Sequence, residues 1–116
     1  MLKVLFIGLL GVAPGNGDAQ AGKRIFSQHC VVCHGVTGKG DGPGAAGLNP
    51  KPANFSDPER HRGMTLEMRL SVVTLGGPSE KLSPAMPAFG EVLTAQQIKD
   101  VLAYVQSFAP KQPPPM

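Results

Sequence analysis

The chain has 116 residues, which is enough for one small domain and too few for a two-domain enzyme. Its 15 glycines and 12 prolines leave little side chain for a core, and two cysteines cannot form a disulfide framework, so we expect a bound group to stabilise the fold. Lysine and arginine number 11 against 8 aspartates and glutamates, a formal net charge of +3, and the signs are interspersed. Without a basic stripe the sequence gives no support to nucleic-acid binding.

The N-terminal residues have the layout of a secretory signal peptide. A positive charge at Lys3 precedes an apolar stretch over residues 4–13. About ten apolar residues are too few to cross a bilayer, which needs about 20, so an uncleaved anchor is the less favoured alternative. We therefore interpret residues 1–17 as a signal peptide, with cleavage between residues 13 and 21. The protein is then exported, to a periplasm or a similar compartment, and keeps no stable membrane span.

The first predicted helix follows Asp18, a typical N-cap residue. Ala21, Ile25 and Phe26 recur at helical spacing on one side of the segment, which we expect to run to about Val31. This helix leads directly into the two cysteines.

Residues 35–63 are rich in glycine and proline and predict a long ordered loop. Loops of this length in a compact domain normally wrap around something. Thr65 then caps a short predicted helix that ends at Gly76. The apolar residues of that helix are Leu66, Leu70 and Val73. A second loop follows over residues 79–90.

The last predicted helix runs from Thr94 to Phe108. Thr94 and Gln97 form a capping-box pattern. Apolar residues recur at helical spacing at Ile98, Val101, Leu102, Val105 and Phe108. The proline-rich residues 110–116 are expected to form a disordered tail. Because no alternation typical of strands occurs, the domain, residues 18–109, is predicted to be mainly α-helical.

The sequence Cys30-Val31-Val32-Cys33-His34 is C-x-x-C-H, the attachment motif of c-type haem. Two thiols three residues apart at the end of a helix project to the same side, so both can bond to the vinyl groups of one porphyrin edge. His34 is then held beneath the iron as the proximal axial ligand. We therefore predict one covalently bound haem c per chain, attached through Cys30 and Cys33.

Two other functions of a C-x-x-C motif fit this sequence less well. A dithiol–disulfide site is expected within a βαβ unit, which the pattern of elements lacks. A structural zinc site needs four ligands that converge tetrahedrally, and no second cysteine pair exists. The candidate ligands at the motif crowd within six residues, too close to converge tetrahedrally: His29, Cys30, Cys33 and His34.

The iron of a haem held by one histidine has a sixth coordination position. Met86 is the favoured ligand because it lies between Pro84 and Pro87 in a rigid loop before the last helix, and a rigid loop holds a weak thioether ligand well. Met64 and Met68 are expected to fill gaps in the core. The two histidines outside the motif are expected at the surface: His29 and His61.

The chain resembles the class I c-type cytochromes, which are small monohaem electron carriers, over residues 18–109. The residues that carry the resemblance are Gly22 and Phe26, Cys30-x-x-Cys33-His34, Met86-Pro87-x-Phe89, Leu93-Thr94, Ile98, Val101, Tyr104 and Val105. The resemblance implies a small cytochrome c fold, mainly α, with helices wrapped around one covalently bound haem between long loops rich in glycine and proline.

The resemblance also implies two particular contacts. The first and last helices should cross, with Gly22 and Phe26 near Tyr104 or its neighbours. The carbonyl of a loop proline should accept a hydrogen bond from the ring nitrogen of His34 that does not bind iron. Two prolines are candidates for that carbonyl: Pro43 and Pro50.

These observations predict an electron carrier rather than an enzyme. Single electrons would pass by outer-sphere transfer at a haem with His34 and Met86 as axial ligands, and haem burial with a thioether ligand favours the ferrous state. The expected partners are a redox reductase and an oxidase, and we expect a monomer. The apolar walls of the haem cavity are expected from Val31, Val32, Leu48, Phe55, Leu70, Val73, Phe89, Leu102 and Val105.

Two alternative functions remain open at the level of sequence. The chain could serve as a haem subunit of a larger oxidoreductase complex. It could instead be a haem enzyme or gas sensor with an open sixth site, although such a site needs a polar distal side and the residues around Met86 are mostly alanine, proline and phenylalanine.

Overall fold

The computed structural model describes residues 16–111. The expected signal peptide over residues 1–17 therefore lies outside the described residues except for its last two positions, and so do residues 112–116 of the expected tail. Within that range the chain forms helices and turns but no β-strand, which confirms the mainly α fold. The helices are α1 Ala19–His29, α2 Val31–His34, α3 Pro58–Gly63, α4 Leu66–Leu75 and α5 Ala95–Gln106. Short 3₁₀ turns cover Pro43–Ala45 and Gly77–Glu80. No helix between residues 16 and 111 is both long enough and apolar enough to cross a membrane.

Helices α1, α4 and α5 begin at side-chain caps that the sequence predicts. Asp18 accepts a hydrogen bond of 2.9 Å from the Gln20 amide at the start of α1, and Thr65 accepts one of 3.1 Å from the Met68 amide in α4. At α5 the capping box is complete, because Thr94 and Gln97 each accept a bond from the other's amide. These bonds satisfy amides that no helical carbonyl can reach.

The core lies where α1 crosses α5, as the resemblance implies. Gly22 lets the two backbones meet, because a Cβ atom there would overlap the carbonyl oxygen of Asp100. One turn later Phe26 is 1% exposed. Its ring centroid lies 5.3 Å from that of Tyr104 and 5.5 Å from that of Phe108, both within the range of favourable aromatic pairs.

Two boundaries differ from the sequence prediction. Helix α1 ends at His29 rather than near Val31, because Cys30 has φ −115° and ψ −29° and separates α1 from the short helix α2. Helix α3 lies inside the segment predicted to be a loop, where Asp57 caps the amide of Glu59 and Pro58 occupies the first turn. The α3 residues have no apolar periodicity, so only this start signal could have revealed the helix.

Candidate functional site

A cavity of about 600 Å³ lies beside the core, between α1, α4, α5 and the two long loops. Its walls are mostly apolar. Most of the predicted wall residues line it: Val32, Leu48, Phe55, Val73, Phe89, Leu102 and Val105. Val31 and Leu70 do not, and instead pack against the core cluster. Their expected place in the wall was wrong because apolar character alone does not say which side of a helix faces the cavity.

The three residues of the C-x-x-C-H motif all line this cavity. The amide of Cys30 still donates to the last turn of α1, at 2.9 Å from the Phe26 carbonyl, and the His34 amide donates to the Cys30 carbonyl at 2.9 Å. Burial, together with the neighbouring Cys33, raises the pKa of Cys30 to about 11. A thiol with such a pKa is protonated at neutral pH, unlike the attacking cysteine of a dithiol–disulfide enzyme.

The imidazole ring of His34 is held by a hydrogen bond at its edge and by a stacked aromatic ring on one face. Its Nδ1 atom lies 3.2 Å from the carbonyl oxygen of Ala53, and its ring stacks on Phe55 with centroids 4.5 Å apart. Since a carbonyl can only accept, Nδ1 carries the proton and Nε2 keeps its lone pair. Burial lowers the pKa of His34, the bond to Ala53 opposes this, and the positive charge of Arg60 lowers it further. The imidazole is therefore in the neutral form that binds metals.

The carbonyl that supports His34 belongs to Ala53, so the expectation of Pro43 or Pro50 was wrong. The segment around Ala53 is fixed to an earlier part of the same loop, because the Phe55 amide donates to the Gly38 carbonyl at 2.7 Å. Gly40, at φ +79°, allows the segment to approach, since a Cβ there would overlap the Pro52 carbonyl. This register brings the carbonyl after Pro52 to His34.

Met86 lines the cavity from a loop that is hydrogen-bonded to the end of α4. The Phe89 amide donates to the Val73 carbonyl at 2.7 Å, the Gly90 amide to the Thr74 carbonyl at 3.0 Å, and the Gly77 amide to the carbonyl of Met86 itself at 3.0 Å. Residues at the C-terminal end of α4, together with Gly77 just after it, therefore hold the loop.

The other two candidate methionines differ from each other. Met64 also lines the cavity, whereas Met68 does not. Met64 is half-buried at the end of α3. The sequence therefore predicted the absence of Met68 from the cavity but not the presence of Met64, because α3 was not predicted.

The two remaining histidines are not the surface residues expected from the sequence. His29 is half-buried at the cavity, with its ring centroid 5.7 Å from that of Phe89. His61 is half-buried as well: its Nε2 atom bonds the Phe55 carbonyl, and its Nδ1 atom lies 2.8 Å from the guanidinium of Arg69. Both expectations failed because the partners lie in other elements: Phe89 in the loop before α5, Phe55 in the loop before α3, and Arg69 in α4.

The donors around the cavity fit haem better than they fit a bare metal ion. Two thiols, two imidazoles and two thioethers line one apolar cavity, and this set includes the two cysteines and the histidine that covalently bound haem requires. In residues 16–111, no three side chains among His, Cys, Asp and Glu are grouped closely enough to hold a metal ion. The zinc alternative therefore lacks a ligand set in the part of the chain that the structure describes.

Comparison with known proteins also indicates a haem-binding protein. The cytochrome c family model matches residues 19–109. Cytochrome c6 of Gloeothece citriformis is 38% identical over 112 residues, covering 96% of this chain and 91% of that protein. The cbb3-type cytochrome c oxidase subunit FixP of Sinorhizobium medicae is 33% identical over 95 residues, which cover 80% of this chain but 32% of that subunit. Among solved structures, the c-type cytochrome KustC0563 superposes with a TM-score of 0.62 at 28% identity, over 77% of this chain and 98% of that one.

Proposed function

The chain belongs to the cytochrome c family, and from this premise we propose that it is an exported, monomeric carrier with one haem attached through Cys30 and Cys33 and ligated by His34 and Met86. It is a haem electron carrier with covalently bound haem c and not an enzyme. We further propose that it passes electrons between a protein reductase and a protein oxidase. The part of the chain that forms the haem domain is proposed to be residues 18–109, after removal of residues 1–17.

Haem supplies a one-electron iron couple when it is bound. The chain's own residues have three tasks around it. Apolar side chains of α4, α5 and the loops exclude water from the cavity, which favours the less charged ferrous state. The Ala53 carbonyl keeps the proton on Nδ1 of His34, so Nε2 remains available as a ligand. The hydrogen-bonded loop presents the thioether of Met86, a soft ligand that also favours the ferrous state.

The single observation that supports this proposal most strongly is that Cys30, Cys33 and His34 line one apolar cavity. Its test is the intact mass of the purified protein after acid-acetone extraction, which removes non-covalent haem. We expect the mass of the polypeptide plus one haem. The Cys30→Ala, Cys33→Ala double variant should give the bare polypeptide mass. A bare polypeptide mass for the wild-type protein would refute covalent attachment at this motif.

The similarity to FixP favours a second candidate, a haem-bearing subunit of a larger oxidoreductase complex. The chain matches only 32% of that subunit, so the haem domain there is joined to other segments. Size-exclusion chromatography of the protein purified from its own cells gives its native mass and separates the two candidates. A free carrier elutes at the mass of one chain, whereas a subunit elutes in a larger assembly that contains further polypeptides.

A further inference from the structure

The charged residues that line the haem cavity are all cationic. Four side chains with a basic group line it: Lys51, Arg60, Arg69 and Lys81. No aspartate or glutamate among residues 16–111 does so. A cavity with this charge distribution is suited to a ligand that brings negative charge with it.

Arg69 differs from the other three because it is buried. It is 9% exposed, whereas Lys51 and Lys81 are exposed and Arg60 is half-buried. Its guanidinium has only neutral partners among the described residues, the Nδ1 atom of His61 at 2.8 Å and the Oε1 atom of Gln106 at 3.4 Å.

No carboxylate of the described residues compensates the charge of Arg69. The ion pair found in residues 16–111 joins Arg62 to Glu59 on the exposed side of α3. A buried guanidinium without a counter-charge is costly. Burial and the positive charge of Arg60 accordingly lower the pKa of Arg69.

His61 fixes the orientation of Arg69. Since a guanidinium can only donate, Nδ1 of His61 accepts its hydrogen bond and Nε2 carries the proton that is donated to the Phe55 carbonyl. Phe55 in turn stacks on His34. One neutral tautomer of His61 therefore satisfies both bonds and ties Arg69 to the segment that supports the proximal histidine.

We propose that Arg69 forms an ion pair with a propionate carboxylate of the haem, that Arg60 assists it, and that His61 and Gln106 are positioning residues for its guanidinium. The inference rests on the proposed function, because it places haem in this cavity. Haem c carries two carboxylates, and the planar guanidinium fork binds a carboxylate through two parallel hydrogen bonds. The carboxylate supplies the counter-charge that no side chain of residues 16–111 provides at this position.

The test measures the reduction potential of the haem-loaded protein as a function of pH. In Arg69→Gln the propionate loses its cation, so its negative charge favours the ferric state and lowers the potential at neutral and alkaline pH. The same loss raises the pKa of the propionate, so the potential should rise again on acidification through that pKa. The wild-type protein should lack this step over the same range.

The matched control is Arg62→Gln, which removes one positive charge from exposed α3 away from the cavity. Its potential and pH profile should follow the wild type. The other charged or titratable groups along the cavity are the same in both variants: His29, His34, Lys51, Arg60 and Lys81, with His61 beside them. Any difference between the two variants in reduction potential as a function of pH is therefore caused by the loss of Arg69.

His61 is tested as a positioning residue by a pair of variants. His61→Phe removes the acceptor of the Arg69 bond and should lower the potential in the same direction as Arg69→Gln, by a smaller amount. His61→Gln retains an amide oxygen that can accept, so it should return the potential towards the wild-type value.

The outcomes separate this inference from the proposed function. If wild-type protein carries no covalent haem, the proposed function fails. If Arg69→Gln retains haem, its visible spectrum and the wild-type potential profile, the inference on Arg69 is overturned and the proposed function stands. If Arg69→Gln does not assemble with haem, His61→Phe is the deciding variant. A reduction potential equal to that of the wild type then overturns the inference, and a lowered reduction potential supports it.

Discussion

Met86 is held at the cavity by a backbone hydrogen bond from Gly77, and little conformational entropy is lost when its thioether binds iron. Met86→Ala should therefore abolish the near-infrared charge-transfer band of a methionine-ligated ferric haem. It should also lower the reduction potential and open the ferrous iron to carbon monoxide, because the loop then presents no thioether to the iron.

Two variants serve as comparisons for this prediction. Met68→Leu is the matched control, because Met68 does not line the cavity, and it should leave the band, the potential and carbon monoxide binding near their wild-type values. Met64→Leu is the sharper test, since Met64 lines the same cavity. If Met64→Leu removes the band while Met86→Ala keeps it, the ligand assignment is wrong. Rapid and complete carbon monoxide binding by the wild-type protein would instead favour an open sixth site.

Single residues were predictable where their function depends on neighbours in sequence. Cys30, Cys33 and His34 form one contiguous motif, so their common side could be inferred from helical geometry alone. Arg69 and His61 depend on each other and on Phe55, across gaps that sequence spacing does not reveal. A lone arginine on a short helix ordinarily faces solvent, so nothing in the sequence distinguished this one.

The contact between α1 and α5 leads to a prediction at the level of elements. Gly22→Ala gains up to about 1 kcal/mol of helix propensity. However, the added Cβ would overlap the Asp100 carbonyl and lie 2.9 Å from Cα of Val101, both backbone atoms of α5. Overpacking of this kind costs about 1–3 kcal/mol, so the overlap outweighs the propensity. The free energy of unfolding of the haem-loaded protein should fall, as measured by chemical denaturation.

Gly63→Ala is the matched control for Gly22→Ala. Gly63 ends a helix, and a Cβ there meets no atom within 4 Å. The same added methyl group should therefore cause no loss of stability, and a small gain is expected from the reduced freedom of the unfolded chain. Equal stability changes in the two variants would contradict the close crossing of α1 and α5.

Elements were predictable where a cap and an apolar repeat coincide. Helices α1, α4 and α5 each have both signals, and each begins where its cap predicts. Helix α3 has the cap without the repeat, and it was missed for that reason. The supporting carbonyl of His34 was misplaced because a loop's register is set by pairings such as that of Phe55 with Gly38, which composition does not encode.

At the level of the whole molecule, the packed core is small. The buried cluster is formed by residues of α1 and α5 together with Leu93. Residues between Leu48 and Arg60 and the loop that carries Met86 instead line the cavity of about 600 Å³. Glycine and proline account for 15 and 12 of the 116 residues, and a chain with so little apolar side chain buries too little surface to offset its conformational entropy.

Folding should therefore depend on haem, because a group bound covalently in the cavity supplies the apolar surface on which both loops and α4 pack. The Cys30→Ala, Cys33→Ala variant purified without haem should show far less helical circular dichroism than the haem-loaded wild type, and it should melt without a cooperative transition. The loss should be largest for α4, which contacts α5 much less extensively than α1 does. Amide hydrogen exchange checks this order, with residual protection expected at the α1–α5 crossing. A cooperative melt with native-like helix content in the haem-free variant would show that the polypeptide core alone stabilises the fold.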